Sequence, residues 1–257
     1  MLADILLVAA FAQTPGEADG RIAEFQSAVD EKRYDAAEKL VAPLVADYDA
    51  ATLPADRRPI VEQFDRTLKN PRCPAKLQQT ILKRFGGKPD DGEKLVVKAL
   101  KLRHVDEVPE SVAAALAALG SRRDSKYVDT FDDYVDDGRV EVVKAAAAAM
   151  GEYFGEKEAL RKKIVGILVL AYESAGSGRS GQGATTAAPR SLVDHEFRML
   201  VRHDFQLALA RLTGGVQFDR AEDWSNWYRD AKSAKWRDGI DKPAIKLDGL
   251  QPGPGGH

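Results

Sequence analysis

Three short segments of this chain end alike, and the interval between them limits the fold more than any other feature. Ile81-Leu82-Lys83-Arg84-Phe85-Gly86, Ala115-Leu116-Ala117-Ala118-Leu119-Gly120 and Ala146-Ala147-Ala148-Ala149-Met150-Gly151 each close a helical stretch with a large apolar residue and a glycine. The glycines stand 34 and then 31 residues apart, a period that marks stacked supersecondary units. Glycine suits the left-handed C′ position at which a helix stops. After each comes a short polar turn and a second amphipathic segment, anchored by Leu95 and Leu100, by Val128 and Tyr134, and by Leu160 and Val165. A fourth copy, Leu209-Ala210-Arg211-Leu212-Thr213-Gly214, falls 63 residues past Gly151, about two further periods, with a linker between.

Helical periodicity prevails elsewhere too. Val112 to Leu119 and Val142 to Met150 are alanine-rich, and no long β-branched alternation competes. The 257 residues, 44% hydrophobic and 30% charged, are enough to bury a core. A net charge of -2 gives no bulk attraction to nucleic acid or an anionic membrane. Cys73 is the single cysteine, which excludes a disulfide framework and a cysteine zinc site.

Over residues 74–175 the pattern resembles the HEAT-like repeats of α-solenoid proteins. The resemblance implies an all-α fold, a right-handed α-α superhelix of stacked antiparallel helix pairs with helical caps at both ends. Phe25 to Val45 resembles one tetratricopeptide-style helix pair, with Tyr34, Ala37 and Leu40 spaced to pack and Pro43 bending or ending its second helix. Residues 18–72 read as an N-terminal helical cap. Residues 176–190, rich in Gly, Ser and Thr, read as a flexible linker. Residues 191–238 read as a C-terminal helical cap and 239–257 as a disordered tail.

In the C-terminal cap, Leu209 to Gly214 leads through Val216-Gln217-Phe218 to Asp223-Trp224-Ser225-Asn226-Trp227-Tyr228, then Lys232 and Trp236. This resembles the Leu-Thr-Gly…Trp-x-x-Trp segment that closes many exported bacterial HEAT-repeat proteins. Two readings are open for Trp224, Trp227 and Tyr228. They cover the unpaired apolar face of a last repeat, or they form an exposed platform stacking on a glycan or a peptide.

Charge is also patterned by repeat. Lys94, Lys98 and Lys101 precede Asp129, Asp132, Asp133, Asp136 and Asp137, and Lys157, Arg161 and Lys162 follow. Stacking sets basic, acidic and basic stripes side by side, as complementary charge between repeats. Second helices in HEAT-like proteins usually line the concave face, so the resemblance also implies a partner groove from Lys94, Lys98, Lys101, Asp129, Asp132, Asp133, Asp136 and Arg161. Clustered carboxylates suit Ca²⁺, but this spacing is that of a helix face and lacks a calcium loop.

Other motifs fail on context. Gly176 to Gly181 is a literal GxGxxG, yet the preceding apolar run continues a helical pattern, and no βα units surround it. The Lys of a phosphate loop is replaced by Ala184. His195 and His203 are eight residues apart on one expected helix, about 12 Å along the axis, too far to share a zinc ion. No serine occupies a GxSxG context. No cofactor is expected.

At the N-terminus, Leu6 to Ala12 is apolar, and Ala10-Phe11-Ala12 fits signal cleavage before Gln13. The run is short and Asp4 stands where a cation is usual, so a short buried first helix is the alternative. A signal over residues 1–12 implies export; without it the chain is cytoplasmic. The run is far below the ~20 residues of a membrane span. The expected function is a non-enzymatic protein-interaction scaffold whose partner is another protein. A glycan- or peptide-binding module using Trp224 and Trp227, or an enzyme whose site is not legible in sequence, are the alternatives.

Overall fold

The computed structural model describes residues 15–175 and 190–236, with side chains described over 17–175 and 195–236. The candidate signal at 1–12, the GxGxxG run at 176–181, nearly all of the 176–190 linker and the 239–257 tail lie outside the described residues. Among the described residues there is no strand, and the protein is all-α. The helices are α1 (Pro15–Asp30), α2 (Tyr34–Ala50), α3 (Pro54–Lys69), α4 (Ala75–Phe85), α5 (Asp91–Ala99), α6 (Arg103–Asp106), α7 (Pro109–Gly120), α8 (Val128–Val135), α9 (Val140–Gly151), α10 (Glu158–Ser174), α11 (Arg190–Thr213) and α12 (Ala221–Ala231). No described helix is long and apolar enough to cross a membrane. The chain divides into two compact units between Val105 and Asp106.

In the N-terminal unit α2 packs on α4 and α3 on α5, while α1 lies against α2 and α3. Residues 34–69 therefore form a helix pair, α2 and α3, that packs on the pair α4 and α5. Proline gives α3 its start, since the first-turn N–H has no helical acceptor in any case. Pro43 does not end α2, which continues to Ala50. The core is a chain of rings: Phe25 meets Phe64 edge-on at 5.8 Å, Phe64 meets Phe85 at 5.2 Å, and Phe85 meets Tyr48 at 4.9 Å. Asp47 is buried and receives two bonds from Arg21, at 2.6 and 2.7 Å, the fork geometry that lets a carboxylate leave water. Burial, then the bond to Asp91, pushes the Tyr48 hydroxyl up to about 12.

In the C-terminal unit the first helices α7, α9 and α11 pack in series, and α8 lies against α10. Here small residues set the spacing. A Cβ on Gly120 would stand 2.6 Å from the Ala149 Cβ and 2.7 Å from its Cα; a Cβ on Gly151 would stand 3.0 Å from the Ala208 Cα. The backbones of α7 and α9, and of α9 and α11, thus meet where glycine leaves room. This corrects the expectation of left-handed glycine caps: Gly86, Ser121 after Gly120 and Glu152 after Gly151 are right-handed. Of the four signature glycines it is Gly214 that is left-handed, at φ 79, with the Gly215 N–H bonded to the Ala210 carbonyl at 2.8 Å.

Candidate functional site

The acidic stripe belongs to α8. Val128, Phe131 and Val135 recur at helical spacing and are buried, which turns Asp129, Asp132, Asp133 and Asp136 to the exposed side. The Asp124 carboxylate starts this segment by accepting from the Lys126 backbone N–H at 3.1 Å. Alongside runs α10, joined to α8 by Lys163 Nζ to Asp129 at 2.7 Å and by the Ser174 hydroxyl donating to Asp136 at 3.0 Å. The order of these bonds sets the two helices running in the same direction.

Helix α10 has 17 residues and α8 has 8, lengths of roughly 25 and 12 Å. The Ser174–Asp136 bond sets the C-terminal ends of the two helices level, so the extra length of α10 lies toward its N-terminus, and between the two C-terminal halves lies an open groove of about 540 Å³. Its floor is apolar, from Val135, Ile167, Leu170 and Ala171, and its rim is Asp132, Asp136, Glu173 and Ser174. Leu170 keeps 68% of its surface exposed. Desolvation against this floor, followed by repulsion from Asp133 and Asp129, raises the Asp132 carboxyl above its ordinary value, with Lys163 opposing. The groove concentrates negative charge beside uncovered hydrocarbon.

The basic stripes fall differently. Lys94 and Lys98 are exposed on α5, and Lys101 is exposed just past its end, in the N-terminal unit. In the C-terminal unit it is Lys163 that faces the acidic stripe. Arg161, grouped by sequence with the groove, is instead 1% exposed. Its Nη1 donates to the Leu212 carbonyl at 2.8 Å and its Nε to the Glu156 carbonyl at 3.0 Å, so it serves one of the last carbonyls of α11, which has no acceptor role left within its own helix. Lys162 turns toward Glu158 and the Ala234 carbonyl.

The aromatic element is built into the fold. Trp224 is fully buried and its Nε1–H donates to the Phe218 carbonyl at 3.1 Å. Trp227 is half-buried between Trp224, at 5.8 Å and 87°, and Trp236, at 5.7 Å and 38°. Tyr228 donates to the Lys162 carbonyl at 2.9 Å, against α10 at Gly166. Arg161 and Lys162 lie 5.8 and 5.4 Å from the Trp236 ring. Trp224 and Trp227 are nearly perpendicular, so these two rings do not share a plane.

His195 and His203 are both exposed on α11, and no group of three or more metal-ligating side chains gathers among the described residues. Cys73 is buried, and burial pushes its thiol up to about 12, the direction of an unreactive cysteine. The floor residues Ile167 and Leu170 escaped the sequence reading because the run from Ile164 to Leu170 is apolar on every side. The usable signal was phase: Ile164, Val165, Leu168 and Tyr172 define the buried face, and Ile167 and Leu170 lie off it.

Comparison of the chain with protein-family models, with curated proteins and with solved structures finds no match.

Proposed function

We propose that this protein is a non-enzymatic protein-interaction scaffold, a HEAT-like stack of helix pairs whose second-helix side receives a polypeptide partner. The observation that carries the reading is the α8–α10 groove, where Leu170 is 68% exposed beside an acidic rim. A groove that sets exposed hydrocarbon beside carboxylates offers a polypeptide both an apolar contact and a polar rim. The aromatic element supports the same reading, because Trp224 and Tyr228 are engaged in holding α12 to the fold. An exported location, on the strength of Leu6 to Ala12, belongs to the same proposal.

Site-specific photo-crosslinking in the native cells tests it. Crosslinkers are placed at Leu170, at Lys98 and at Glu141, which are exposed in different regions. The expected result is a discrete polypeptide adduct from at least one position. If none of the three yields an adduct, the scaffold reading is wrong.

A further inference from the structure

We infer that the outward face of α11 is a self-association site, on which a second copy of this chain packs antiparallel across Met199 and Leu200. The inference stands apart from the scaffold reading, since it concerns a different helix face and a different partner.

Helix α11 has a face turned inward and a face turned to solvent. Val201, Phe205, Ala208 and Leu212 are buried; Phe205 stacks on Tyr172 of α10 at 5.3 Å, and Ala208 meets Gly151 of α9. The opposite face carries Glu196, Met199, Leu200 and His203, at the three- and four-residue steps that share one side of a helix. All four are exposed, Met199 at 53% and Leu200 at 57%. The loop after α11 folds back over the adjoining strip. Arg202 pairs with Asp219 at 3.0 Å, and Gln206 donates to the Phe218 and Asp219 carbonyls, both at 3.1 Å. That cover stops one turn short of Met199.

The face is its own complement. Glu196 lies as far before the midpoint of Met199 and Leu200 as His203 lies after it, about 5 Å along the axis each way. A symmetry axis through that midpoint sets Met199 of one copy on Leu200 of the other, and Glu196 on His203 at both ends. Among the described residues, neither Glu196 nor His203 has a hydrogen bond or ion pair within the chain. An imidazole N–H donates to a carboxylate in either protonation state of the ring, so both ends gain a bond while the centre buries hydrocarbon. Parallel pairing would set Glu196 on Glu196 and lose both bonds, which selects the antiparallel arrangement. The uncovered hydrocarbon is that of two side chains, which places the contact in the small, transient class of interfaces.

Sedimentation of the full chain from about 10 µM to about 1 mM tests it. The expected result is a reversible monomer–dimer equilibrium. Leu200→Asp should weaken it about ten-fold or more, and Leu170→Asp, on the exposed side of α10, should leave it within about two-fold. Glu196→Arg sets a cation on the imidazole, and His203→Glu sets two carboxylates together, so each should weaken the dimer several-fold. Mixed in equal amounts, these two variants should associate at least as tightly as the unaltered chain, because each supplies the charge that the other lacks. Rescue on mixing also shows that both variants are folded. A chain that stays monomeric to about 1 mM overturns the inference. So does association that Leu200→Asp leaves unchanged, or a mixture no tighter than its components.

Discussion

The two units stack their helices by opposite means. In the N-terminal unit, Phe25, Phe64, Phe85 and Tyr48 fill the space between helices with rings about 5 to 6 Å apart. In the C-terminal unit, α7 and α9 approach closely at Gly120 on Ala149, and α9 and α11 at Gly151 on Ala208, with larger side chains such as Leu116, Met150 and Phe205 buried elsewhere on these helices. The first arrangement gains from buried aromatic area. The second gains from dispersion between closely approaching backbones, and an added Cβ would clash at Gly120 and crowd Ala208 at Gly151. One region fails when something is removed, the other when something is inserted.

The largest expected effect comes from emptying the aromatic chain. Phe64→Ala should lower stability by about 3–5 kcal/mol, seen as an earlier urea transition by far-UV circular dichroism. The protein's three tryptophans, Trp224, Trp227 and Trp236, all lie in the C-terminal unit, so fluorescence follows that unit alone. A fluorescence midpoint that stays put sharpens the contrast; one that shifts equally breaks it, by showing that both units unfold as one.

Filling the glycine seam comes next. Gly120→Val drives a branched side chain at the Ala149 backbone and should destabilise by about 1–3 kcal/mol, now visible in the fluorescence midpoint. No shift would mean that α7 and α9 separate without penalty and that the close approach is not what stabilises this unit.

The smallest effect lies on the surface of α8. Folding raises the Asp132 carboxyl, so its ionised form weighs against the fold above the folded pKa, and that burden vanishes below it. Asp132→Asn should therefore stabilise at neutral pH by no more than about 0.5 kcal/mol. The gain should fade as pH falls through the native titration of Asp132. A gain that persists in acid would come from packing and not from charge.

The same contrast explains what the sequence disclosed. Gly86, Gly120 and Gly151 located the ends of α4, α7 and α9, because a missing side chain leaves a mark whatever its cause. The cause itself was hidden, since a turn that needs positive φ and a helix that needs proximity select the same residue. The pair α2–α3 left no such mark: α2 ends in Asp49-Ala50-Ala51 without a glycine, and Pro43 imitates a break inside it. Arg161 reads as a surface charge until the Leu212 carbonyl is brought to it from 51 residues away. Phe131 and its exposed aspartates were legible because α8 is sharply two-faced. Leu170 was not, because α10 is apolar nearly all round.

The glycine seam also has a mechanical meaning. Long side chains between helices act as slack, because rotamers can readjust while the backbones stay in place. Between Gly120 and Ala149, and again between Gly151 and Ala208, there are no torsions to readjust. A displacement imposed on α11 must move α9, and a displacement of α9 must move α7. This side of the C-terminal unit is a close-packed spine, whereas on the other side α8 and α10 are bridged by polar side chains, the long arm of Lys163 to Asp129 and the Ser174 hydroxyl to Asp136.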